Sequence, residues 1–227
     1  MTRIVILTGA GISAESGLAT FRDPDGLWQQ FRPEELATPE AFARDPDTVL
    51  AWYDARRAQL AHVQPNAAHL ALARLDRDWP GELLLVTQNV DDLHARARST
   101  RMLQMHGALK RARCTACEAV HAWQGPMPRG TPCPACGTAA LRPDIVWFGE
   151  MPMHMQRIMQ ALAQADLFVS IGTSGTVYPA AGFVNGLRRG ARSLELNLQA
   201  SGGRFSESRE GPATALVPAW VDEVLCG

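Results

Sequence analysis

The chain has 227 residues, is 46% hydrophobic and carries a formal net charge of −1. That length holds one large domain or a domain with a smaller one attached, and the composition supplies an ample core. The near-neutral balance argues against direct nucleic-acid binding, and no window approaches the roughly 18 apolar residues of a membrane span.

The first expected element is a strand over residues 3–8, Arg-Ile-Val-Ile-Leu-Thr. Its uninterrupted apolar run suits a strand buried on both faces of a parallel sheet. It follows Met1-Thr2 directly, so no signal or transit segment is expected ahead of it. Gly9-Ala10-Gly11-Ile12-Ser13-Ala14 then matches the G-x-G-x-x-G/A dinucleotide pattern. In that pattern Gly9 permits the tight turn, Gly11 admits the pyrophosphate, Ala14 allows close packing, and the helix N-terminus offers free N–H groups. A dehydrogenase would place an acidic residue about twenty positions on to hold the ribose. Phe21-Arg22-Asp23 comes instead, in a loop with no strand before it, which favours a dinucleotide site serving other chemistry.

Residues 29–64 read as helix and loop, punctuated by Pro33, Pro39 and Pro46. Within them Tyr53 and Arg56, at i and i+3, share a helix face, and a phenol beside a guanidinium suits a carboxylate. Arg57 reads as a solvated helix charge. A helix over Ala67–Asp78 and a second buried strand over Leu83–Thr87 follow. Gln88-Asn89-Val90-Asp91-Asp92 then falls at a strand's carboxyl end, where open α/β sheets bind ligands. Asn89 and Asp91, at alternate positions, point the same way if the strand continues, whereas Asp92 reads as a helix N-cap. His106-Gly107 supplies an imidazole suited to general-base work near neutral pH. His62, His69, His121 and His154 read as structural.

Cys114-Thr115-Ala116-Cys117 and Cys133-Pro134-Ala135-Cys136 form two Cys-x-x-Cys knuckles in turn-forming sequence, with Pro132 and Gly137 around the second. Four thiolates satisfy a tetrahedral Zn²⁺ and leave no open position, so such a metal is structural. Two disulfides or a thioredoxin-like redox pair are the rival readings. Five cysteines, four of them so used, fit a reducing cytoplasm, and Cys226 reads as a small apolar residue near a frayed end.

Helices over His154–Ala165 and Ala180–Arg189 alternate with strands over Leu167–Ile171 and Ser193–Asn197, and Ser201-Gly202-Gly203-Arg204 reads as flexible. This alternation implies right-handed crossovers and an α/β, Rossmann-like doubly wound parallel sheet formed by residues 1–28, 65–109 and 146–227. A helical module (29–64) and a zinc-ribbon module (110–145) are expected to form a smaller domain.

Taken together, Gly9-Ala10-Gly11-Ile12-Ser13-Ala14-Glu15-Ser16-Gly17, Thr20-Phe21-Arg22, Gln88-Asn89-Val90-Asp91, His106-Gly107, the paired Cys-x-x-Cys, Pro143-Asp144-Ile145-Val146-Trp147-Phe148-Gly149-Glu150, Gly172-Thr173-Ser174 and Asn197-Leu198 resemble the sirtuins, the NAD-dependent protein lysine deacylases, over nearly the whole chain. The resemblance implies that NAD⁺ and an acyl-lysine protein enter an interdomain cleft from opposite sides. The acyl oxygen would attack the ribose carbon bearing nicotinamide, His106 would deprotonate a ribose hydroxyl, and water would release lysine and an O-acyl-ADP-ribose. Asn89 would position ribose and water, and Asp91 would hold the nicotinamide carboxamide. Gly9, Ala10, Gly11, Ala14 and Gln88 would line the cofactor site, with Phe21 shielding the reactive ribose face and Arg22 in the same flexible loop. Gly172, Thr173 and Ser174 would meet phosphate and ribose, and Asn197, Leu198, Gln199 and Ala213 the adenosine end. Val146, Phe148, Gly149 and Glu150 would line a slot that pairs with the peptide backbone. Because NAD⁺ is consumed, the missing dehydrogenase acid is explained.

Tyr53-x-x-Arg56 matches the sirtuin subclass that removes succinyl and malonyl groups and in bacteria often acetyl as well, and the small Ala37 would leave room for a longer acyl chain. The same resemblance implies one structural Zn²⁺ per chain and demands nothing beyond a monomer. Competing readings are mono-ADP-ribosyl transfer from the same site and a non-catalytic NAD sensor or zinc-ribbon adaptor; Asn89, Asp91 and His106 weigh against a dead scaffold.

Overall fold

The computed structural model describes residues 2–18 and 33–226, so Phe21 and Arg22 lie outside the described residues. Its strands are β1 (Ile4–Thr8), β2 (Leu83–Thr87), β3 (Met102–Gln104), β4 (Gly107–Cys114), β5 (Val120–Ala122), β6 (Leu141–Ile145), β7 (Leu167–Ile171), β8 (Arg192–Asn197) and β9 (Glu207–Glu210). The helices are α1 (Gly11–Ala14), α2 (Pro33–Leu36), α3 (Pro39–Arg44), α4 (Pro46–Gln59), α5 (Ala67–Asp78), α6 (Leu93–Arg96), α7 (Met155–Gln164) and α8 (Ala213–Cys226).

Six strands form one sheet in the order β3-β2-β1-β7-β8-β9, every neighbouring pair parallel. Strand periodicity sends alternate residues of β1 to opposite faces. Ile4 and Ile6 meet Leu72 and Leu75 of α5 and Val217 and Trp220 of α8. Val5 and Leu7 meet Ile158 and Leu162 of α7 and Phe183. Both faces are therefore covered, which is why these strands read as unbroken apolar runs. The chain leaves β1 toward β2 and β3, then returns to β7 on the other flank, so the order reverses beside β1. That switch point opens a crevice at the carboxyl edge.

A second sheet, β5-β4-β6, is antiparallel. It packs on the helical excursion through Leu50 of α4, Ala112, Met127 and Leu141, with Phe42 against the same cluster. Pro39 and Pro46 open α3 and α4, where a missing N–H costs nothing, and the side chains of Thr38 and Asp45 cap the two helices.

The structure corrects several expectations. Arg57 is 5% exposed, so it is no solvated charge. Its Nε donates to the Leu109 carbonyl at 2.7 Å, and its Nη1 reaches Asp54 at 2.5 Å and the Gly125 carbonyl at 2.9 Å. Asp54 in turn accepts the Met127 N–H at 2.8 Å, so this pair ties α4 to the antiparallel sheet. Residues 180–189 are not an α-helix: a 3₁₀ segment spans Ala180–Gly186, and Gly182 and Gly186 within it are poor helix formers. Helix α8 has no clear signal in the sequence, because Pro218 interrupts its pattern from inside. The exposed Cys226 ends that helix. No helix among the described residues is long and apolar enough to cross a membrane.

Candidate functional site

The loops after β1 and β7 touch backbone to backbone. Gly11 N–H donates to the Gly172 carbonyl at 2.8 Å, and Gly9 N–H to that of Ile171 at 3.0 Å. A Cβ on Gly11 would lie 2.8 Å from Gly172 Cα, and one on Gly172, whose φ is +59°, only 2.5 Å from Ile12 N. These glycines are therefore required by loop-on-loop packing, whatever ligand approaches. The expected row of free N–H groups is absent among them, since Ile12 and Ser13 bond back to Gly9 and Ala10. Helix α1 is a single turn, which leaves little macrodipole.

Polar side chains stitch the crevice together. Gln88 Nε2 donates to Thr173 Oγ1 at 3.1 Å, and Asn197 Nδ2 to the Thr173 carbonyl at 2.8 Å. Ser174, Leu198 and Gln199 are exposed at the rim, while Ala213 is buried at the start of α8. Beside Ala213, the Thr214 N–H donates to Glu15 at 3.1 Å, binding the first loop to α8.

Asn89 and Asp91 do point to the same side, and they converge on Ser13. The Ser13 hydroxyl donates to Asp91 Oδ2 at 3.0 Å and accepts from Asn89 Nδ2 at 3.1 Å. These three residues line a cavity together with Ala10, Leu18, Leu60, Val90, Leu109 and Arg56. Burial pushes the Asp91 carboxyl above its ordinary range, although the Leu93 N–H and Ser13 hydroxyl oppose the shift. The helix-capping bond to Leu93 comes from Asp91 and not from Asp92, whose carboxylate pairs with Lys110 at 2.6 Å. Below this layer Thr8 donates to Thr87, so His94 Nε2, 3.0 Å from Thr8 Oγ1, must be the donor on that bond. Burial lowers His94 to about 3 and His69 to about 4, so both imidazoles stay neutral. Ser13 was not singled out from sequence; being the hydroxyl inside a glycine loop was its only signal.

His106 Nδ1 lies 3.1 Å from the Gln88 carbonyl, which can only accept. The proton therefore sits on Nδ1, and Nε2 keeps its lone pair. Burial lowers the imidazole pKa, with the Gln88 bond opposing, so the neutral base persists below the usual titration range. Next to it Gly107 has φ +84°, and a Cβ there would lie 1.9 Å from the Asp144 carbonyl oxygen. Only glycine lets β4 approach β6 at this point.

On α4, Tyr53 is 3% and Arg56 9% exposed. Trp52 sits edge-on to Tyr53 at 4.7 Å and under the Arg56 guanidinium at 5.0 Å. Burial lowers Arg56 to about 10, so it remains a cation at neutral pH. Across from α4, Val146 N–H donates to the His106 carbonyl and Phe148 N–H to that of Ala37, both at 2.9 Å. Phe148 is half exposed and Gly149 has φ +88°. The Glu150 side chain turns inward onto Arg142, at 2.7 and 2.9 Å. Burial alone would raise its carboxyl, but Arg142 and the Trp147 N–H outweigh that and hold it low.

Cys114, Cys117, Cys133 and Cys136 bring their sulfurs within 4.8 Å of one another. Cys114–Cys136 and Cys117–Cys133 are 3.7 and 3.8 Å apart, far beyond a disulfide bond. A tetrahedron with Zn–S bonds of about 2.3 Å has edges of about 3.8 Å, so the set fits one Zn²⁺. Ala116 and Ala135 N–H groups point at the first sulfur of each knuckle, 3.4 Å away, and His121 Nε2 lies 3.4 Å from Cys133. Such donors favour the thiolate form.

Residues 9–179 match the family model described as the Sir2 family. An "NAD-dependent protein deacylase" of Bdellovibrio bacteriovorus is 54% identical, covering 98% of this chain and 96% of its own. One of Escherichia coli strain K12 bearing the same name is 52% identical over 99% of this chain and 83% of its own. A solved Sir2 homologue in complex with NAD is 41% identical and superposes with a TM-score of 0.89 over 98% of this chain and 89% of that one. On a family match spanning most of its length and relatives identical at more than half the aligned positions, the chain belongs to the Sir2 family.

Proposed function

We propose that this NAD-dependent protein lysine deacylase accepts succinyl and malonyl groups as well as acetyl. The observation that carries this reading is the cavity itself, where a buried guanidinium, Arg56, shares one small space with Asn89 and Asp91. A guanidinium facing this cavity offers a planar, charge-assisted fork, and the distal carboxylate of an acidic acyl chain is a group that matches it.

When bound, NAD⁺ supplies a ribose carbon made electrophilic by the departure of nicotinamide. Asp91, whose Oδ2 accepts from Ser13 and whose Oδ1 accepts from the Leu93 N–H, is held in place to accept from a carboxamide NH₂. Asn89, fixed by Ser13, orients ribose and water. His106 takes a ribose proton at Nε2, the nitrogen that Gln88 leaves unprotonated. In the same proposal Gly9, Ala10, Gly11, Ala14, Gln88, Gly172, Thr173 and Ser174 hold the cofactor. Asn197, Leu198, Gln199 and Ala213 hold its adenosine end, while Phe21 shields the reactive ribose face and Arg22 belongs to the same cofactor site. Val146, Phe148, Gly149 and Glu150 flank the peptide, Glu150 acting through the shape of its segment because its carboxylate is committed to Arg142.

The proposed small domain comprises 29–64 and 110–145, which share the apolar contacts around Leu50 and Met127. Its Zn²⁺ is structural, held by Cys114, Cys117, Cys133 and Cys136. The acylated proteins meet a cytoplasmic monomer that binds neither membrane nor nucleic acid directly; four cysteines placed to hold a metal as thiolates support a reducing compartment, and the charge of −1 supports the last point.

Arg56→Met should lower kcat/KM on a succinyl-lysine peptide more than tenfold, as for loss of a buried charge partner, while acetyl-lysine turnover changes little. Equal losses on both peptides in matched kinetics would refute the acyl assignment. His106→Ala should cut deacylation by about 10²–10⁴-fold. The wild-type kcat/KM should fall on the acid side through a pKa below about 6.5, since the catalyst is the neutral imidazole and burial disfavours its cation; a limb above 7 would point to another base. Stripping the metal with a chelator should abolish amide protection in β4–β6 while β1, β2 and β7 stay protected. A metal-free protein with unchanged exchange in β4–β6 contradicts the structural role.

A further inference from the structure

Trp147 lies at the junction between the proposed peptide-flanking segment and the Tyr53/Arg56 face. Its indole Nε1 donates to the Tyr53 hydroxyl oxygen at 2.9 Å, with Trp147 2% and Tyr53 3% exposed. An indole N–H can only donate, so the phenol oxygen is the acceptor in this bond. The phenol's single proton must then go to a different acceptor. Burial raises the Tyr53 pKa above its ordinary value, so that proton is kept throughout the working pH range.

The tryptophan is itself braced on several sides. The Arg142 guanidinium lies 3.5 Å from the indole centroid. Arg142 is anchored by the Glu150 carboxylate and by the Ile145 carbonyl at 2.7 Å. Glu150 also accepts the Trp147 backbone N–H at 2.8 Å, and the Phe42 ring packs 5.2 Å away. An aromatic residue held this firmly has little rotamer freedom, so its N–H is a fixed reference point for the phenol.

We infer that Trp147 is a specificity-positioning residue: by occupying the acceptor side of the Tyr53 hydroxyl, it turns the phenolic proton toward the carboxylate that Arg56 binds. The inference rests on the acidic-acyl reading and deepens it. It makes acyl selectivity a property of two lobes of sequence, α4 and the segment 142–150, and not of the Tyr53/Arg56 pair alone. Without the indole donor the phenol can rotate its proton inward, and a bound carboxylate then competes for a hydroxyl that is no longer directed at it. An acetyl group has no such carboxylate and should not register the change.

The test is Trp147→Phe, which keeps an aromatic ring beneath Arg142 and removes the N–H. Its KM for a succinyl-lysine peptide should rise about five- to tenfold, the worth of one directed hydrogen bond, with kcat little altered and acetyl-lysine kinetics within about twofold. In a Tyr53→Phe background the same substitution should add no further selective loss, because the group it directs is gone. Equal losses on succinyl and acetyl peptides, or full additivity with Tyr53→Phe, would overturn the inference. Arg56→Met on the same peptides separates the two levels. If it is selective and Trp147→Phe is not, only the role of Trp147 falls; if Arg56→Met is unselective, the acidic-acyl reading falls first. Should Trp147→Phe not fold, replacing the indole with its benzothienyl isostere, which exchanges N–H for sulfur at nearly constant size, carries the same expectations.

Discussion

The architecture of the crevice depends on one contact, the backbone of Gly11 lying directly on that of Gly172. It joins the first loop of the chain to the loop after β7 at the place where the sheet reverses direction. A side chain at either position would put its Cβ within 2.8 Å of the facing backbone and force these loops apart. The spacing of everything above them follows. Ser13 can reach both Asn89 and Asp91 only because α1 begins so close to the sheet edge. Gln88 can span to Thr173 for the same reason.

A second layer of constraint works through buried polar groups rather than through size. Thr8, Thr87 and His94 form a buried floor in which Thr8 bonds both Thr87 and His94, and such networks specify one arrangement more sharply than apolar packing does. His106 is subject to the same logic, since a main-chain carbonyl and not another side chain selects its tautomer. The imidazole therefore keeps one tautomer as long as the loop after β2 keeps its path.

Much of this was legible in the sequence, and the exceptions share physical causes. Strands β1, β2, β7 and β8 announced themselves because burial on two faces demands unbroken apolar runs. Helix α5 was equally plain, with Asn66 capping its start. The cysteine knuckles carried their own geometry. By contrast β3 and β9 are short edge strands whose identity depends on a neighbour, and α8 contains Pro218, which local rules read as a breaker. Arg57 looked solvated because the carbonyls that bury it, Leu109 and Gly125, are remote in sequence. Asp92 keeps the expected N-cap position but makes no capping bond, its carboxylate pairing with the remote Lys110, and Asp91 accepts the Leu93 N–H instead. Pattern reports propensity well, but it cannot report which distant partner a charge will find.

The adjacency of Arg56 and Arg57 has its own consequence. Three hydrogen bonds from Arg57 to a carboxylate and two carbonyls lock the rotation of α4 about its axis, like a key in a shaft. Successive residues on a helix project about 100° apart. Fixing the one arginine therefore aims the other, and the side chain at position 56 becomes an interchangeable tool on a rigid mount. On the acidic-acyl proposal, a substitution at position 56 would change that tool without disturbing the mount that carries it.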